Sequence, residues 1–331
     1  MILAIYMIFI NIFALAIYGI DKGLAQNDKQ RIPESRLILV AALGGAFGAL
    51  FGMFIFHHKT RKPKFAITVP LLFIVYLLLM GFCLEQNYRL TTSEYDYVNS
   101  KIDASKDGFV IVQISDLHNQ WFGPGQSYLL EEIEKCDPDI IAVTGDAVDK
   151  YHTSYSIAKS FFEGAVKIAP VYYITGNHED WLKDEDFDKF VNDVEKLGVN
   201  FIDDETIDIG NISLIGVAEE SREADLTGLT SKCPEGNLKV MLAHEPNPHE
   251  NYKKADADLV LCGHNHGGQI IIPKKGGLIS SDLKFFPELY EGVHLFNNMT
   301  MIISRGLGNS AAPVRINNYP EIVKVTLHMQ N

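Results

Sequence analysis

The stretch IIAVTGDAVD, residues 140–149, contains the pattern that decides the fold of this chain. Its first five residues are apolar or β-branched, which predicts a short buried strand over Ile140–Thr144. A glycine and two aspartates follow at once, at Gly145, Asp146 and Asp149. Sites in α/β sheets form at the carboxyl ends of strands, so this stretch predicts a strand that delivers acidic ligands to a site.

The same arrangement, an apolar strand followed by polar residues, recurs on both sides of this stretch. Upstream, Phe109–Ile114 is followed by Asp116 and His118, and downstream Val171–Thr175 is followed by the tetrapeptide GNHE at 176–179. Two further strand ends carry His244 with Glu245 and the segment GHNHGG at 263–268. Each pattern alone is common in loops, but five in order predict one shared site.

Helices are predicted between the early strands, at Gln126–Lys135 and Ser156–Ile168. The later sequence is richer in strands, which are predicted at Ile212–Val217, Lys239–Leu242, Leu259–Cys262, Ile270–Ile272, Met301–Ser304 and Ile322–Leu327. Alternation of strands and helices followed by strand-rich sequence predicts an α/β core with a central sheet or a pair of sheets.

The residue types at the strand ends suit divalent transition metals. Imidazole and carboxylate together favour Mn²⁺, Fe²⁺ or Zn²⁺, whereas Mg²⁺ favours oxygen ligands. Because no cysteine belongs to the set, a structural zinc site is disfavoured. A carboxylate such as Asp146 can bridge two cations, and two cations about 3.5–4 Å apart can clamp a phosphoryl group and generate hydroxide.

From Gly108 to Leu327 the order Asp-x-His, Gly-Asp-x-x-Asp, Gly-Asn-His-Glu, His and Gly-His-x-His resembles the calcineurin-like metallophosphoesterase superfamily. The segments GHNHGGQ at 263–269 and SRGLG at 304–308 are similar to its bacterial membrane-associated or exported branch. That branch includes phosphoesterases similar to the hydrolase of UDP-2,3-diacylglucosamine. The resemblance implies a four-layer α/β/β/α sandwich.

The resemblance also implies a role for each residue of the motifs. The first divalent metal ion would be bound by Asp116, His118, Asp146 and His266. The second would be bound by Asp146, Asn177, His244 and His264. A hydroxide that bridges the two ions, which are Mn, Fe or Zn, would attack phosphorus in line. His178 would bind no metal, and would protonate the leaving oxygen or stabilise charge on the phosphoryl group.

Four residues beside these motifs have open interpretations. Asp149 is expected to orient a ligand or cap a turn rather than bind metal. Glu179 is expected to hydrogen-bond His178 and fix its tautomer. Asn119 could touch a phosphate or shape its loop, and Arg305 could pair with an anionic substrate or be structural.

Three apolar runs occupy the first 85 residues, at Met1–Ile20, Leu37–Phe56 and Phe65–Leu84. Each is close to the roughly 20 residues that a helix needs to cross a bilayer. A cleaved signal peptide is disfavoured because the first run lacks a basic start and a cleavage site. We therefore expect a transmembrane anchor, a polar linker and a metallophosphoesterase domain over residues 1–85, 86–105 and 106–331.

The anchor resembles a family of small bacterial membrane proteins of unknown function. The matching stretches are GIDK at 19–22, RIPE at 31–34, the glycine run at 44–52 and FHHKTRK at 56–62. Glycines spaced by four residues either let helices pack closely or are merely tolerated in a membrane helix. Asp21 or His57 could belong to a buried polar site, but both are interpreted as interface residues whose polar ends reach water.

Charge differs sharply between the two parts. Residues 1–90 carry 9 basic and 4 acidic side chains, a net of +5, whereas residues 91–331 carry 20 and 38, a net of −18. The acidic part argues against a nucleic-acid partner. The basic cluster HHKTRKPK at 57–64 predicts a cytoplasmic loop, which puts the catalytic domain on the extracytoplasmic side. The first loop is also basic, so this placement competes with the opposite one.

The sequence therefore predicts a multi-pass cell-membrane enzyme, a dinuclear-metal phosphoesterase that cleaves phosphodiester or pyrophosphate bonds. The anchor is compatible with a lipid-linked substrate. The alternatives are a phosphoprotein phosphatase or nucleotidase on the same scaffold and a non-catalytic metal-binding membrane protein. The last is disfavoured because His178 and every ligand position are intact. Oligomeric state is left open.

Overall fold

The computed structural model describes residues 2–151, 154–182, 185–309 and 314–330. Its contacts divide the chain into two units, Met1–Leu84 and Glu85–Asn331, here called the helical unit and the catalytic unit. The helices of the chain are α1 Ile2–Gln26, α2 Glu34–Val40, α3 Ala46–Ile55, α4 Pro63–Tyr88, α5 Ser127–Lys135, α6 Ser156–Ala165, α7 Asn177–Leu182, α8 Glu185–Lys196, α9 Thr227–Thr230 and α10 His249–Lys254.

The helical unit contains three helical segments that are long and apolar enough to cross a membrane: Ile5–Gln26, Glu34–Ile55 and Pro63–Tyr88. Each overlaps one of the predicted apolar runs; Met1 lies outside the described residues. The middle segment joins α2 and α3 through a π-helical turn, Ala41–Gly45, in which Gly44 has a φ of 112°. Glycine tolerates this backbone where other residues are strained.

Glycines let the middle segment pack directly on α1. A Cβ added at Gly48 would clash with the backbone of Asn11, and one added at Gly52 would lie 2.8 Å from Cβ of Tyr18. The Asn11 side chain donates to the Gly44 carbonyl at 3.0 Å and accepts from the Gly48 N–H at 2.8 Å. The contacts therefore favour the close-packing interpretation of the glycine run.

Asp21 is fully buried, so the prediction that its carboxylate reaches water was wrong. Its Oδ2 lies 2.7 Å from His58 Nε2, 3.2 Å from Arg31 Nη2 and 3.3 Å from Lys59 Nζ. The Ile32 N–H donates to its Oδ1 at 2.9 Å. The sequence could not reveal this cluster because it depends on loops that return to the end of α1.

The catalytic unit contains fourteen strands in the described part of the chain, and twelve of them form two six-stranded sheets. They are β1 Thr91–Asn99, β2 Val110–Ile114, β3 Ile140–Thr144, β4 Val171–Ile174, β5 Asn200–Phe201, β6 Thr206–Asp208, β7 Ile212–Gly216, β8 Leu238–Leu242, β9 Leu259–Cys262, β10 Ile271–Ile272, β11 Gly276–Gly277, β12 Gly292–Phe296, β13 Met299–Ile303 and β14 Glu321–Met329. Most strands that the sequence predicted are confirmed to within a few residues.

The first sheet has the order β1-β14-β2-β3-β4-β5 and the second β12-β13-β9-β8-β7-β6. Strands β2 to β5 are parallel, as are β7, β8, β9 and β13. Each parallel set therefore points its carboxyl ends to one edge. The remaining strands β10 and β11 form a small hairpin.

The packing of these sheets confirms the four-layer α/β/β/α architecture. Side chains of both sheets, such as Ile111 and Val240, form one core between them. The outer face of the first sheet packs on α5, α6 and α8 through residues such as Phe162. The outer face of the second sheet packs on α10 through Tyr252. Burial on both faces explains why the parallel strands are apolar without alternation.

The segment expected to be a linker, residues 86–105, differs from the prediction because it contains strand β1. Thr91–Asn99 pairs in parallel with Glu321–Met329 over nine residues. The strand lies at the sheet edge, and its residues alternate between half-buried and exposed. Its sequence, TTSEYDYVN, is polar for that reason, and polarity led to the linker interpretation.

We expect Asp21→Ala to destabilise the helical unit by about 3 kcal/mol or more, because it leaves the buried side chains of Lys59 and His58 without their carboxylate partner. The measurement is thermal or denaturant unfolding of the full chain in detergent, followed by circular dichroism. The control is Asp28→Ala, which removes an exposed aspartate of the same unit. Equal stability of the two variants would contradict the structural role of the Asp21 cluster.

Candidate metal centre

The predicted ligands lie where the carboxyl ends of parallel strands from both sheets meet. The first sheet contributes the loops after β2, β3 and β4, and the second contributes those after β8 and β9. Left-handed backbone is adopted by five of the ligand residues: Asp116, His118, Asp146, His264 and His266, with φ between 44° and 72°. Such backbone is strained for residues other than glycine, and strain of this kind clusters at functional sites.

One set of donor atoms converges around Asp116 and His266. The distance from His118 Nε2 to His266 Nε2 is 3.1 Å, and that from His266 Nε2 to Asp116 Oδ1 is 3.5 Å. Oδ2 of Asp146 lies 3.4 Å from His118 Nε2. Ligand atoms about 2.0–2.2 Å from a shared cation stand roughly 3–3.5 Å apart, so these spacings fit one metal ion.

A second set converges around Asn177. Its Oδ1 lies 3.1 Å from His244 Nε2 and 2.8 Å from His264 Nδ1, and these two nitrogens are 3.2 Å apart. The same Asp146 Oδ2 lies 3.3 Å from His244 Nε2. The carboxylate of Asp146 is thus common to both sets, which brings all seven predicted ligands together around two points.

The hydrogen bonds of the imidazole rings fit coordination of a cation. Nδ1 of His244 is 2.8 Å from the Thr144 carbonyl, and Nδ1 of His266 is 3.3 Å from the Gly308 carbonyl. A carbonyl only accepts, so each Nδ1 carries the proton and each Nε2 directs its lone pair into the site. Lone pairs and carboxylates that converge at this spacing repel one another unless a cation lies between them.

Burial and charge set the protonation of the site. Burial lowers the pKa of His118 to about 4 and that of His266 to about 3, so both rings are neutral at neutral pH. Burial also lowers the pKa of His244, but the charge of Asp146 raises it more, to well above its usual range. Nε2 of His244, which faces Asp146, therefore attracts positive charge. A divalent cation can supply this charge in place of the proton.

His178 and Asp149 form a pair beside the two sets. Oδ1 of Asp149 lies 3.2 Å from Nδ1 of His178. Burial lowers the pKa of His178, but its hydrogen bond with Asp149 and the charge of Asp146 raise it above its usual range overall. Distance alone would group His178 with His118 and Asp146 within 4.8 Å. Its Nδ1, however, lies beside Asp149 and 3.3 Å from the Lys150 N–H, and the residue lines the cleft described below.

In the described part of the chain, the Glu179 carboxylate hydrogen-bonds groups other than the predicted partner, His178. Its carboxylate accepts instead from the N–H groups of Asp146 at 2.8 Å, Gly176 at 2.9 Å and Val148 at 3.2 Å, and from the Tyr173 hydroxyl at 3.0 Å. It is fully buried. Glu179 therefore joins the two loops that carry Asp146 and the GNHE segment, and its effect on ligands is through the backbone.

Arg305 is held by carboxylates of the protein, which favours its structural interpretation. Its Nη2 lies 3.0 Å from Glu321 Oε1 and its Nε lies 3.5 Å from Glu291 Oε2.

Asn119 follows His118 with a φ of 53°, and its N–H donates to the Ala147 carbonyl at 3.4 Å. A phosphate contact by Asn119 stays a prediction.

A cleft of about 530 Å³ opens over the donor atoms. Sequence reasoning missed much of its lining, which includes Tyr151, Trp181, Glu219, Arg222, Glu245, Ser281, Asp282 and Leu283. Nε of Arg222 lies 3.2 Å from Glu245 Oε2, and its Nη1 lies 3.3 Å from Glu219 Oε1. Glu245 follows His244 in a strand-end motif, whereas the other residues belong to no motif and only the fold brings them to the cleft, so the sequence carried no signal for them.

The motif glycines permit the close approach of the ligands. A Cβ added at Gly263 would clash with the side chains of Ser115 and Asp116. A Cβ added at Gly145 would lie 2.7 Å from the backbone of Gly176 and 2.7 Å from His244 Nδ1. The glycine in each motif is therefore required by the packing of one ligand loop on another.

Comparison with known proteins gives two family matches. Residues 109–268 match the family described as calcineurin-like phosphoesterase. Residues 11–65 match a family described as a protein of unknown function, DUF1294. The two matches fall on the catalytic unit and the helical unit respectively.

Individual relatives agree with these matches. The uncharacterized metallophosphoesterase YkoQ of Bacillus subtilis is 30% identical over 222 residues, which cover 64% of this chain and 81% of YkoQ. Phosphodiesterase YaeI of Escherichia coli is 26% identical over 250 residues, covering 70% of this chain and 88% of YaeI. The uncharacterized protein YsdA of B. subtilis is 44% identical over 81 residues, covering 24% of this chain and 91% of YsdA.

We expect Gly263→Ala to lower bound metal at least about tenfold, because the added methyl group displaces Asp116 in a close-packed site. The measurement is metal content of the purified full chain after incubation with Mn²⁺ and desalting. Gly228→Ala is the matched control, since an added Cβ there has no neighbour within 4 Å. Full metal content in Gly263→Ala would contradict the assigned packing.

Proposed function

The chain belongs to the calcineurin-like phosphoesterase family, and on that premise we propose that it hydrolyses phosphodiester or pyrophosphate bonds at two metal ions. The observation that carries the proposal is the convergence of two sets of donor atoms on one shared carboxylate, Asp146. Membership of the family makes the chain a metal-dependent phosphoesterase. The bond type, the metals and the roles of individual residues are the proposed part.

In this proposal one metal ion is held by Asp116, His118, Asp146 and His266. The other is held by Asp146, Asn177, His244 and His264. Four imidazoles in the combined set favour Mn²⁺, Fe²⁺ or Zn²⁺ over Mg²⁺. When bound, such ions supply Lewis acidity toward the phosphoryl group and lower the pKa of water.

His178 is proposed to serve the leaving group. Asp149, at 3.2 Å, orients the ring and favours its protonated form. The proton on Nε2 can then be transferred to the oxygen that leaves phosphorus, or retained to stabilise charge on the phosphoryl group. Asp149 acts through His178 and is a positioning residue.

A phosphodiester substrate is supported by two observations. The relative YaeI, 26% identical, is named a phosphodiesterase. The cleft is open and about 530 Å³ in volume, which leaves room for groups on both sides of a phosphorus atom. Arg222 contributes a cation to the cleft, although Glu219 and Glu245 already pair with it.

We further propose that the helical unit anchors the enzyme in the cell membrane through three spans. Support comes from the three helices that are long and apolar enough to cross a bilayer. The basic loop at residues 57–64 favours a cytoplasmic position for the turn before α4. The catalytic unit then lies on the extracytoplasmic side, where a lipid-linked phosphoester is an accessible substrate.

The activity test uses the purified full chain in detergent with bis-p-nitrophenyl phosphate. We expect turnover with at least one of Mn²⁺, Fe²⁺ and Zn²⁺, loss of turnover after chelation, and recovery when the metal is returned, because the phosphoryl group is activated by bound cations. Absence of turnover with all three metals would contradict the proposed function.

For His178→Ala we expect unchanged metal content and a kcat lowered by about 10²–10⁴, the usual contribution of a general acid. The two readouts are metal analysis and steady-state kinetics on the same sample. The control is His328→Ala, a partly exposed histidine on β14 whose ring lies 3.2 Å from Asp96. Loss of metal from His178→Ala would show that this histidine is a ligand.

The side of the membrane on which the catalytic unit lies is tested with protease added to intact cells that express the full chain. We expect cleavage within the catalytic unit, since the positive-inside tendency puts it outside the cytoplasm. Permeabilised cells provide the control for protease sensitivity. Complete protection in intact cells together with cleavage after permeabilisation would reverse the placement.

A further inference from the structure

Three exposed apolar side chains lie on one turn beside the cleft of the candidate metal centre, and the first of them, Leu283, lines that cleft. Leu283, Phe285 and Phe286, here called the apolar lip, are 75%, 70% and 48% exposed. The residue before them, Asp282, has its Oδ1 3.7 Å from Nε2 of His264, so the lip begins next to a proposed metal ligand. Large apolar side chains grouped in this way on a surface mark a contact with another apolar phase or molecule.

The apolar lip belongs to a hydrogen-bonded turn. The Ser280 N–H donates to the Lys284 carbonyl at 2.9 Å, and the Phe286 N–H donates to the Leu278 carbonyl at 3.0 Å. The Ser281 hydroxyl donates to the His264 carbonyl. The turn is thus attached to the ligand loop, and its apolar side chains project from a defined backbone.

Three lysines lie close to the apolar lip although the unit as a whole is acidic. Lys274 and Lys275 line a surface depression together with Phe286 and Glu288, and Lys284, inside the lip, lies 3.5 Å from Asp282. Lys274, Lys275 and Lys284 all lie within eleven residues and are exposed. Residues 91–331 together carry 20 basic and 38 acidic side chains, so this local excess of cations is unusual for the unit. Apolar side chains next to lysines match the layered chemistry of a bilayer surface, where acyl chains lie beneath anionic headgroups.

The chain also enters the catalytic unit at the metal-bearing edge. Strand β1 begins at Thr91, and only two residues separate it from the end of α4 at Tyr88. Because β1 is parallel to β14, and β14 is antiparallel to β2, Thr91 lies at the edge where β2 delivers Asp116. Asn87, in the last turn of α4, accepts from Asn309 Nδ2 at 2.8 Å within this unit.

We propose that the apolar lip docks on the surface of the bilayer that holds the apolar helices, with Lys274, Lys275 and Lys284 among anionic headgroups. The cleft then receives phosphoester groups directly from the headgroup layer. The substrate side of this inference rests on the proposed function. The docking itself concerns only where the lip lies, and it is measured without turnover.

The test places the full chain in nanodiscs of phosphatidylcholine and anionic phosphatidylglycerol and measures quenching by brominated acyl chains. Phe285→Trp puts a fluorophore in the apolar lip. Val98→Trp is the matched control, because Val98 is 57% exposed on β1 and pairs with His328 at the opposite edge of the sheet. Emission from Trp121 and Trp181 is subtracted using the unsubstituted chain.

We expect the added emission of Phe285→Trp to be quenched at least about twice as strongly as that of Val98→Trp, since quenching requires contact with the acyl layer. We also expect weaker quenching when phosphatidylcholine replaces phosphatidylglycerol. Equal quenching of the two variants would overturn the docking proposal. Quenching that ignores headgroup charge would overturn the role given to the lysines.

The same nanodiscs are assayed with soluble bis-p-nitrophenyl phosphate, which separates the two proposals. Lack of turnover in the unsubstituted chain would contradict the proposed function, but the fluorescence result would remain valid. Turnover without selective quenching of Phe285→Trp would contradict the docking proposal, while the proposed phosphoesterase activity would be supported. Circular dichroism of each variant shows whether it is folded.

Discussion

The carboxylate of Asp146 is the constraint on which the rest of the catalytic unit depends. It is nearly fully buried and stands within 3.4 Å of histidines from two different sheets. A desolvated carboxylate requires positive charge nearby, and the imidazoles beside it can supply that charge when protonated or can share a bound cation with it. The two sheets must therefore meet at their carboxyl edges, and ligand loops from both must approach within van der Waals contact. Glycines at 145, 176 and 263 make this approach sterically possible.

The sequence predicted those parts of the site that lie within one short segment of the chain. A strand followed at once by a polar turn is visible in the sequence, and the loops that carry Asp116, Asp146 and Asn177 are of this kind. Glu179 shows where such reasoning ends, because its partners are backbone N–H groups from the loop of another strand. Arg222 and Glu219 are brought to the cleft by the fold alone. Strand β1 was missed for a related reason: an edge strand that is half exposed has a polar sequence and gains its identity from a partner more than 200 residues away.

In the helical unit, too, some features follow from the sequence and others depend on contacts made only in the folded chain. Apolar runs of about 20 residues predict helices from composition alone. The polar contacts that join those helices depend on side chains that meet only after folding. Asn11 hydrogen-bonds backbone groups at the glycine-rich turn, and Asp21 pairs with Arg31 and Lys59, which belong to two later loops. Asp21, which was expected at the surface, is buried and lies at the centre of a group of ion pairs.

The position of β14 has a consequence for how the protein is made. This strand lies between β1 and β2, so the first sheet remains split until residue 329 has left the ribosome. Pairing over such a separation is slow compared with the formation of local helices. The apolar helices and the ligand loops after β2, β3 and β4 are all synthesised earlier. The nascent chain therefore passes through a stage in which the apolar helices are complete and the catalytic sheet is still open, which delays assembly of the candidate metal centre until β14 has been synthesised.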